Sequence, residues 1–147
     1  MTKRESEAGK PKIIDSWAMI AWAAEEPGAS AVQDLFERAE SDGLQLFMSV
    51  LNVGATFYIL AKRRNAALAE QFLNSLPSLP IRIDVPDQDG VMAAARVKAS
   101  HTVAYGDSFA IALAQAKGGS VVTGDDEIRR CALVPADWLG DQPSVSA

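Results

Sequence analysis

Three aspartates have the residue type and the spacing to do chemistry: Asp15, closing the apolar run "KII"; Asp107, in "YGDSFA"; and Asp125, just beyond "SVVT". If the two apolar runs are strands of a parallel sheet, Asp15 and Asp125 leave it at the carboxyl-terminal edge, where open α/β sheets bind ligands. A helix running antiparallel to such strands begins at that same edge, and Asp107 opens the helix that leads into "SVVT". Carboxylates drawn together resist ionisation unless a cation lies among them. An all-oxygen donor set favours a hard divalent ion, Mg²⁺ or Mn²⁺, which suits hydrolysis of a phosphodiester by a metal-activated water. Taken singly, each aspartate also reads as a helix N-cap or first-turn residue, an N-cap being worth roughly 0.5–2 kcal/mol.

The elements that must position these acids follow from hydrophobic period and turn chemistry. Strands are expected at 12–15, 44–49, 81–85 and 120–123, with a short edge strand within 131–138. Helices are expected at 16–28, 29–43, 49–64, 65–77, 86–101 and 105–119, with a short one after "TGD". In the first of these, Trp17, Ile20, Ala21 and Ala24 share a helical face and Pro27-Gly28 provides the stop. Pro86 is placed in the first turn of the 86–101 helix. Strands alternating with helices predict an α/β fold, with helices on both faces of a mainly parallel sheet joined by right-handed crossovers.

At 147 residues and 48% apolar content, the chain suits one domain with a substantial core. Its net charge of −5 excludes a global basic field for nucleic acid, so any such contact is local or bridged by metal. A single cysteine, Cys131, excludes an internal disulfide framework and reads as a small, at least half-buried hydrophobe. A single histidine, His101, argues against a multi-histidine zinc site and reads as a surface or capping residue. No apolar run approaches the ~20 residues that span a membrane, and the polar start "MTKRESEAGKPK" has no secretory h-region. A cytoplasmic protein is expected, with a disordered tail at 1–11, a folded domain at 12–138 and a flexible tail at 139–147.

The segments "IIDSWAMIAWAAEEPGA", "SVLNVGATFYIL" and "AAARVKASHTVAYGDSFAIALAQAKGGSVVTGDDEI" together resemble the PIN-domain ribonucleases, specifically the VapC toxins of toxin–antitoxin systems. The resemblance runs from about residue 12 to 136, and the "IIDSW" opening and the late "TGD" are its strongest parts. It implies a three-layer α/β/α sandwich and a Mg²⁺- or Mn²⁺-dependent endoribonuclease. It also implies a VapB-like antitoxin partner and a homodimer. By motif, Asp15, Asp107 and Asp125 are the implied metal ligands, with Ser16 and Thr123 able to hydrogen-bond the acids or a ligand.

One position departs from the family pattern. Where the family usually carries Glu, in a form like "LNLGEVYYIL", this chain reads "LNVGATFYIL" and has Ala55. No Asp or Glu occurs from Gly43 through Ala69, and Asn52, one helical turn away, offers a hydrogen bond to water but no charge. Ala is a good helix former at a packed position. With the surrounding motifs intact, Ala55 reads instead as the loss of a catalytic carboxylate, natural or introduced so that a toxic chain can be produced. The expectation is a folded, metal-competent chain with little or no nuclease activity.

Lys62, Arg63, Arg64, Arg96 and Lys98 read as a solvated face near helix ends, while Arg129 and Arg130, close to Asp125, are the better candidates for RNA-backbone contact. Asp126 and Glu127 are equally placed as further acids or as first-turn residues of a short helix. Trp17, Trp22, Phe57 and Tyr58 suit core or interface packing, including an antitoxin helix laid in an apolar groove between the early helices. A non-catalytic PIN-like regulator that binds antitoxin or RNA is the competing reading. A phospho-acceptor receiver is disfavoured, because no lysine follows "TGDDE".

Overall fold

A computed structural model describes residues 9–140 of the chain. Five strands, β1 (Lys12–Ile14), β2 (Leu46–Ser49), β3 (Arg82–Asp84), β4 (Ser120–Thr123) and β5 (Ala136–Trp138), pair in parallel in the order β3-β2-β1-β4-β5. Seven α-helices are formed among the described residues: α1 (Ser16–Ala23), α2 (Ala29–Asp42), α3 (Val50–Arg63), α4 (Ala66–Ser75), α5 (Gln88–Ser100), α6 (Tyr105–Lys117) and α7 (Asp126–Cys131). None is long and apolar enough to cross a membrane.

Strand side chains alternate between the two faces of a sheet, and here each face has its own core. Ile14, Leu46, Met48 and Val122 pack with α1, α2, α3 and α4 through Met19, Val32, Phe36, Leu60 and Phe72. Their neighbours Ile13, Phe47 and Val121 pack on the other face with Val97, Ala110, Ile111, Ala114 and Ile128 of α5, α6 and α7. The result is the expected α/β/α sandwich. Helix ends are set locally. Ser49, Asn65 and Asp87 cap α3, α4 and α5 through their side-chain oxygens, and Gly43 and Gly118 end α2 and α6 with φ of 75° and 67°.

The structure corrects three local expectations. The first helix stops at Ala23, before Pro27-Gly28, because Glu25 takes φ of 55° and the Glu26 N–H then closes onto the Ala21 carbonyl at 2.9 Å. That helix has no single apolar face: consecutive Ala18, Met19, Ile20 and Ala21 are all buried, since it packs against α2, α3 and β4. Pro86 precedes the helical turn, because the Asp87 carboxylate accepts from the Gly90 N–H at 2.9 Å and makes Asp87 the N-cap of α5.

Most of the two expected tails lies outside the described residues, but the folded body reaches one residue further at each end. Pro11 and Leu139 are buried, and the Leu139 N–H donates to the Thr123 carbonyl at 2.8 Å. Pro11 also explains Gly119. A Cβ there would stand 2.9 Å from the Pro11 carbonyl carbon and nearer still to its oxygen. Both partners are backbone at the β1–β4 pairing, so Gly119→Ala is expected to destabilise the chain by roughly 1–3 kcal/mol through overpacking. Urea unfolding followed by circular dichroism measures it, and an unchanged midpoint would show that the two segments separate at little cost.

Candidate active site

β1 and β4 lie side by side, with Ile14 opposite Val122, and the chain's strand order reverses between them. That reversal creates the crevice in which open α/β sheets place ligands. Asp15 emerges there from β1, with no exposed surface, its N–H directed at the Val122 carbonyl at 3.4 Å. Its Oδ1 accepts from the Ala18 N–H at 2.8 Å and caps α1, while its Oδ2 has no hydrogen-bond partner. Asp125 leaves β4 and caps α7, its Oδ1 accepting from the Glu127 N–H at 2.8 Å. Its own N–H donates to the buried Thr123 hydroxyl at 2.9 Å. Asp107 sits in the first turn of α6 and is 8% exposed. Asp15 and Asp125 are thus both helix caps: one oxygen of each accepts from the helix that it begins.

Asp15, Asp107 and Asp125 act on one another electrostatically. Burial is the largest influence on Asp15 and lifts its pKa from 3.8 to about 7, with the charge of Asp125 adding to the rise. The Thr123 hydroxyl and the Ala18 and Trp17 N–H groups oppose that rise. Burial likewise lifts Asp107 to about 8, reinforced by the charges of Asp125 and Asp15, a hydrogen bond to Asp125, and the charge of Glu127. Glu127 thus belongs to the electrostatic neighbourhood of the cluster. Asp126, which the sequence placed on a par with it, instead binds Arg129 and Arg130 at 2.5 Å each.

Asn52 connects α3 to the cluster. It is wholly buried, and its Nδ2 donates to the carbonyl of Gly106, next to Asp107, at 3.0 Å. Its Oδ1 has no partner. Ala55, half-buried, follows on the same side of α3 one turn later, and α3 carries no carboxylate. Ser16 opens α1, half-buried, and contributes to neither raised pKa. Arg129 also stacks on the Trp138 ring at 3.8 Å, whereas Arg130 remains 80% exposed. Arg63 pairs with Glu26 at 3.3 Å, Arg64 donates to the Ala24 carbonyl at 3.2 Å, and Lys98 to the Val103 carbonyl at 2.7 Å. One contact was not legible in the sequence: the Trp17 indole lies directly on Gly124, inside "TGD".

In donor chemistry these residues fit a hard divalent cation. All are oxygen donors, one buried carboxylate oxygen lacks any partner, and burial, with the charges of neighbouring acids, raises the pKa of two of them. Among the described residues no three acidic, histidine or cysteine side chains already stand as a closed metal cage. The set is a cluster of repelling carboxylates that a cation would draw together.

The PIN-domain family model matches residues 12–133, which include all three aspartates. The chain belongs to the PIN-domain family. Among proteins of curated function no sequence match was found. Solved structures share the PIN fold at low identity. VapC20 of Mycobacterium tuberculosis, a toxin that cleaves the sarcin-ricin loop, superposes with a TM-score of 0.71 at 16% identity, over 90% of this chain and 99% of that one. VapBC from Salmonella typhimurium, bound to DNA, gives 0.69 at 14% identity over 88% and 98%. VapBC2 from Rickettsia felis, bound to a fragment of its promoter, gives 0.67 at 11% over 86% and 96%.

The raised acids make this PIN domain's stability depend on pH. Asp15 and Asp107 hold protons more tightly folded than unfolded, so their contribution is fully present below about pH 4 and is lost as pH rises through about 7 to 8. In chelator, the melting temperature is expected to fall between about pH 5 and 8, and Asp107→Asn to flatten that fall. Calorimetric scans across the range check this, and an equal slope in the variant would remove Asp107 from the account.

Proposed function

We propose that this PIN domain is a VapC-type endoribonuclease toxin whose chemistry is weakened at Ala55. The observation that carries the reading is Asp15: a fully buried carboxylate with one unpartnered oxygen, facing Asp107 and Asp125 at the β1/β4 crevice. Asp15, Asp107 and Asp125 would hold Mg²⁺ or Mn²⁺, which when bound supplies an activated water and neutralises charge on an RNA phosphodiester. Thr123 steadies the turn that carries Asp125, and Asn52 ties α3 to the helix that carries Asp107. Arg130, the more exposed of the two arginines near Asp125, is the better placed to meet the RNA backbone.

The VapBC neighbours are complexes, and the surface of this chain suits the same arrangement. A groove of ≈ 460 Å³ between α1, α2 and α4, where Trp22, Leu68 and Phe72 alternate with Gln33, Gln71 and Ser75, would seat an amphipathic antitoxin helix. Val50, Leu51 and Tyr58 on α3 are 37%, 38% and 54% exposed and would contribute to a homodimer contact. The absence of a carboxylate on α3 favours a second reading for the chain as written, a PIN-like regulator that binds without cutting.

Ala55→Glu is expected to raise cleavage of a labelled RNA pool in Mn²⁺ by about 10²–10⁴-fold over this chain, the size of a missing acid–base or charge contribution. Asp15→Asn in that background is expected to abolish it. Cleavage by neither form would leave the binding-only reading standing. Mn²⁺ affinity unaltered by Asp15→Ala would remove the cation from the reading altogether.

A further inference from the structure

Asp125 is the least constrained of the three acids. Asp15 is fixed by a central strand and a helix start, and Asp107 by a helix of thirteen residues. Asp125 sits on a turn, with Gly124 before it and the six-residue α7 after it. Hydrogen bonds from the Asp125 and Leu139 N–H groups to Thr123 tie this turn, and the Trp17 ring packs against it at Gly124.

A methyl group built on Gly124 would stand 2.5 Å from Cη2 of Trp17 and closer still to two more ring carbons. Gly124 does not adopt the left-handed backbone region, so glycine is required there for room alone. The ring is held from another side as well. A Cβ on Gly28 would lie 3.3 Å from Trp17 Cζ3 and 3.7 Å from Leu139 Cβ. Leu139 in turn donates its N–H to the carbonyl of Thr123, the residue whose hydroxyl receives the Asp125 N–H. The indole is thus a rigid spacer between the α1–α2 loop and the 123–125 turn. It belongs to the same helix start that Asp15 caps, two residues along the chain from it.

We infer that Trp17 is a positioning residue: its indole, seated on Gly124, sets the height of Asp125 relative to Asp15 and so completes the cation-binding set. The inference rests on the reading of Asp15, Asp107 and Asp125 as ligands. Trp17 itself touches neither substrate nor cation. Positioning groups of this kind alter metal affinity by about ten- to a hundredfold when lost.

The test uses the full chain and Mn²⁺ alone, with affinity from titration calorimetry and melting temperature in chelator recorded for every variant. Trp17→Ala and Gly124→Ala are each expected to weaken Mn²⁺ binding about ten- to a hundredfold. The double variant is expected to be no weaker than Trp17→Ala, because the added methyl then meets empty space and the two effects do not add. Additive losses, or lowered melting temperatures with Mn²⁺ affinity unchanged, would reduce Trp17 to a packing residue and overturn the inference. If Trp17→Ala fails to fold, Trp17→Phe takes its place: a smaller ring should tolerate Gly124→Ala, and an equal loss in both backgrounds overturns the inference. Asp15→Asn separates the two layers of the reading. If it binds Mn²⁺ as tightly as the native chain, the ligand assignment itself has failed; if it loses binding while Trp17→Ala does not, only the role of Trp17 has.

Discussion

A carboxylate closed off from the surface governs this molecule. Asp15 is wholly buried at the end of the central strand, where an uncompensated charge is costly. The protein answers only part of that cost. The first turn of α1 satisfies Oδ1, the Thr123 hydroxyl favours the ionised form, and Oδ2 is left with nothing. Other buried polar side chains at this edge are better served: Thr56 donates to the Asn52 carbonyl at 2.7 Å and Ser108 to the Tyr105 carbonyl at 2.5 Å. Among the described residues only Asp15 Oδ2 and Asn52 Oδ1 are buried side-chain polar atoms without a partner. Such atoms are uncommon in folded proteins.

The frame around Asp15 does not depend on the residue at position 55. Ser49 caps α3, Asn52 spans to Gly106, and Val53 and Leu60 bury the helix against the sheet. Alanine is a strong helix former, and α3 carries no carboxylate that would add to the charge of the acid cluster.

Charge near the site is equally local. The chain is acidic overall, and two of its basic residues nearest the crevice are occupied by Asp126 one turn away. Arg129 is further committed to the Trp138 face. Residues adjacent in sequence thus diverge in role. Asp125 and Glu127 act on the crevice, whereas Asp126 turns to the arginines of its own helix, because successive positions on a helix point about 100° apart.

The sequence by itself determined the alternation of strands and helices, the mainly parallel sheet and the delivery of Asp15 and Asp125 to one edge. These follow from local periodicity and from where apolar runs end. It also determined the caps at Ser49 and Gly43, the terminal glycine of α6, and the absence of a carboxylate on α3. It misplaced the end of α1 and the apolar face of that helix, because a helix covered on several sides has no face for periodicity to reveal. It misplaced Pro86, because Asp87 competes for the cap. Only the tertiary structure put β1 beside β4, separated Glu127 from Asp126, tied Asn52 to Gly106 and laid Trp17 on Gly124. Each of those contacts depends on side-chain direction or on segments remote in the chain, and neither is encoded in local spacing.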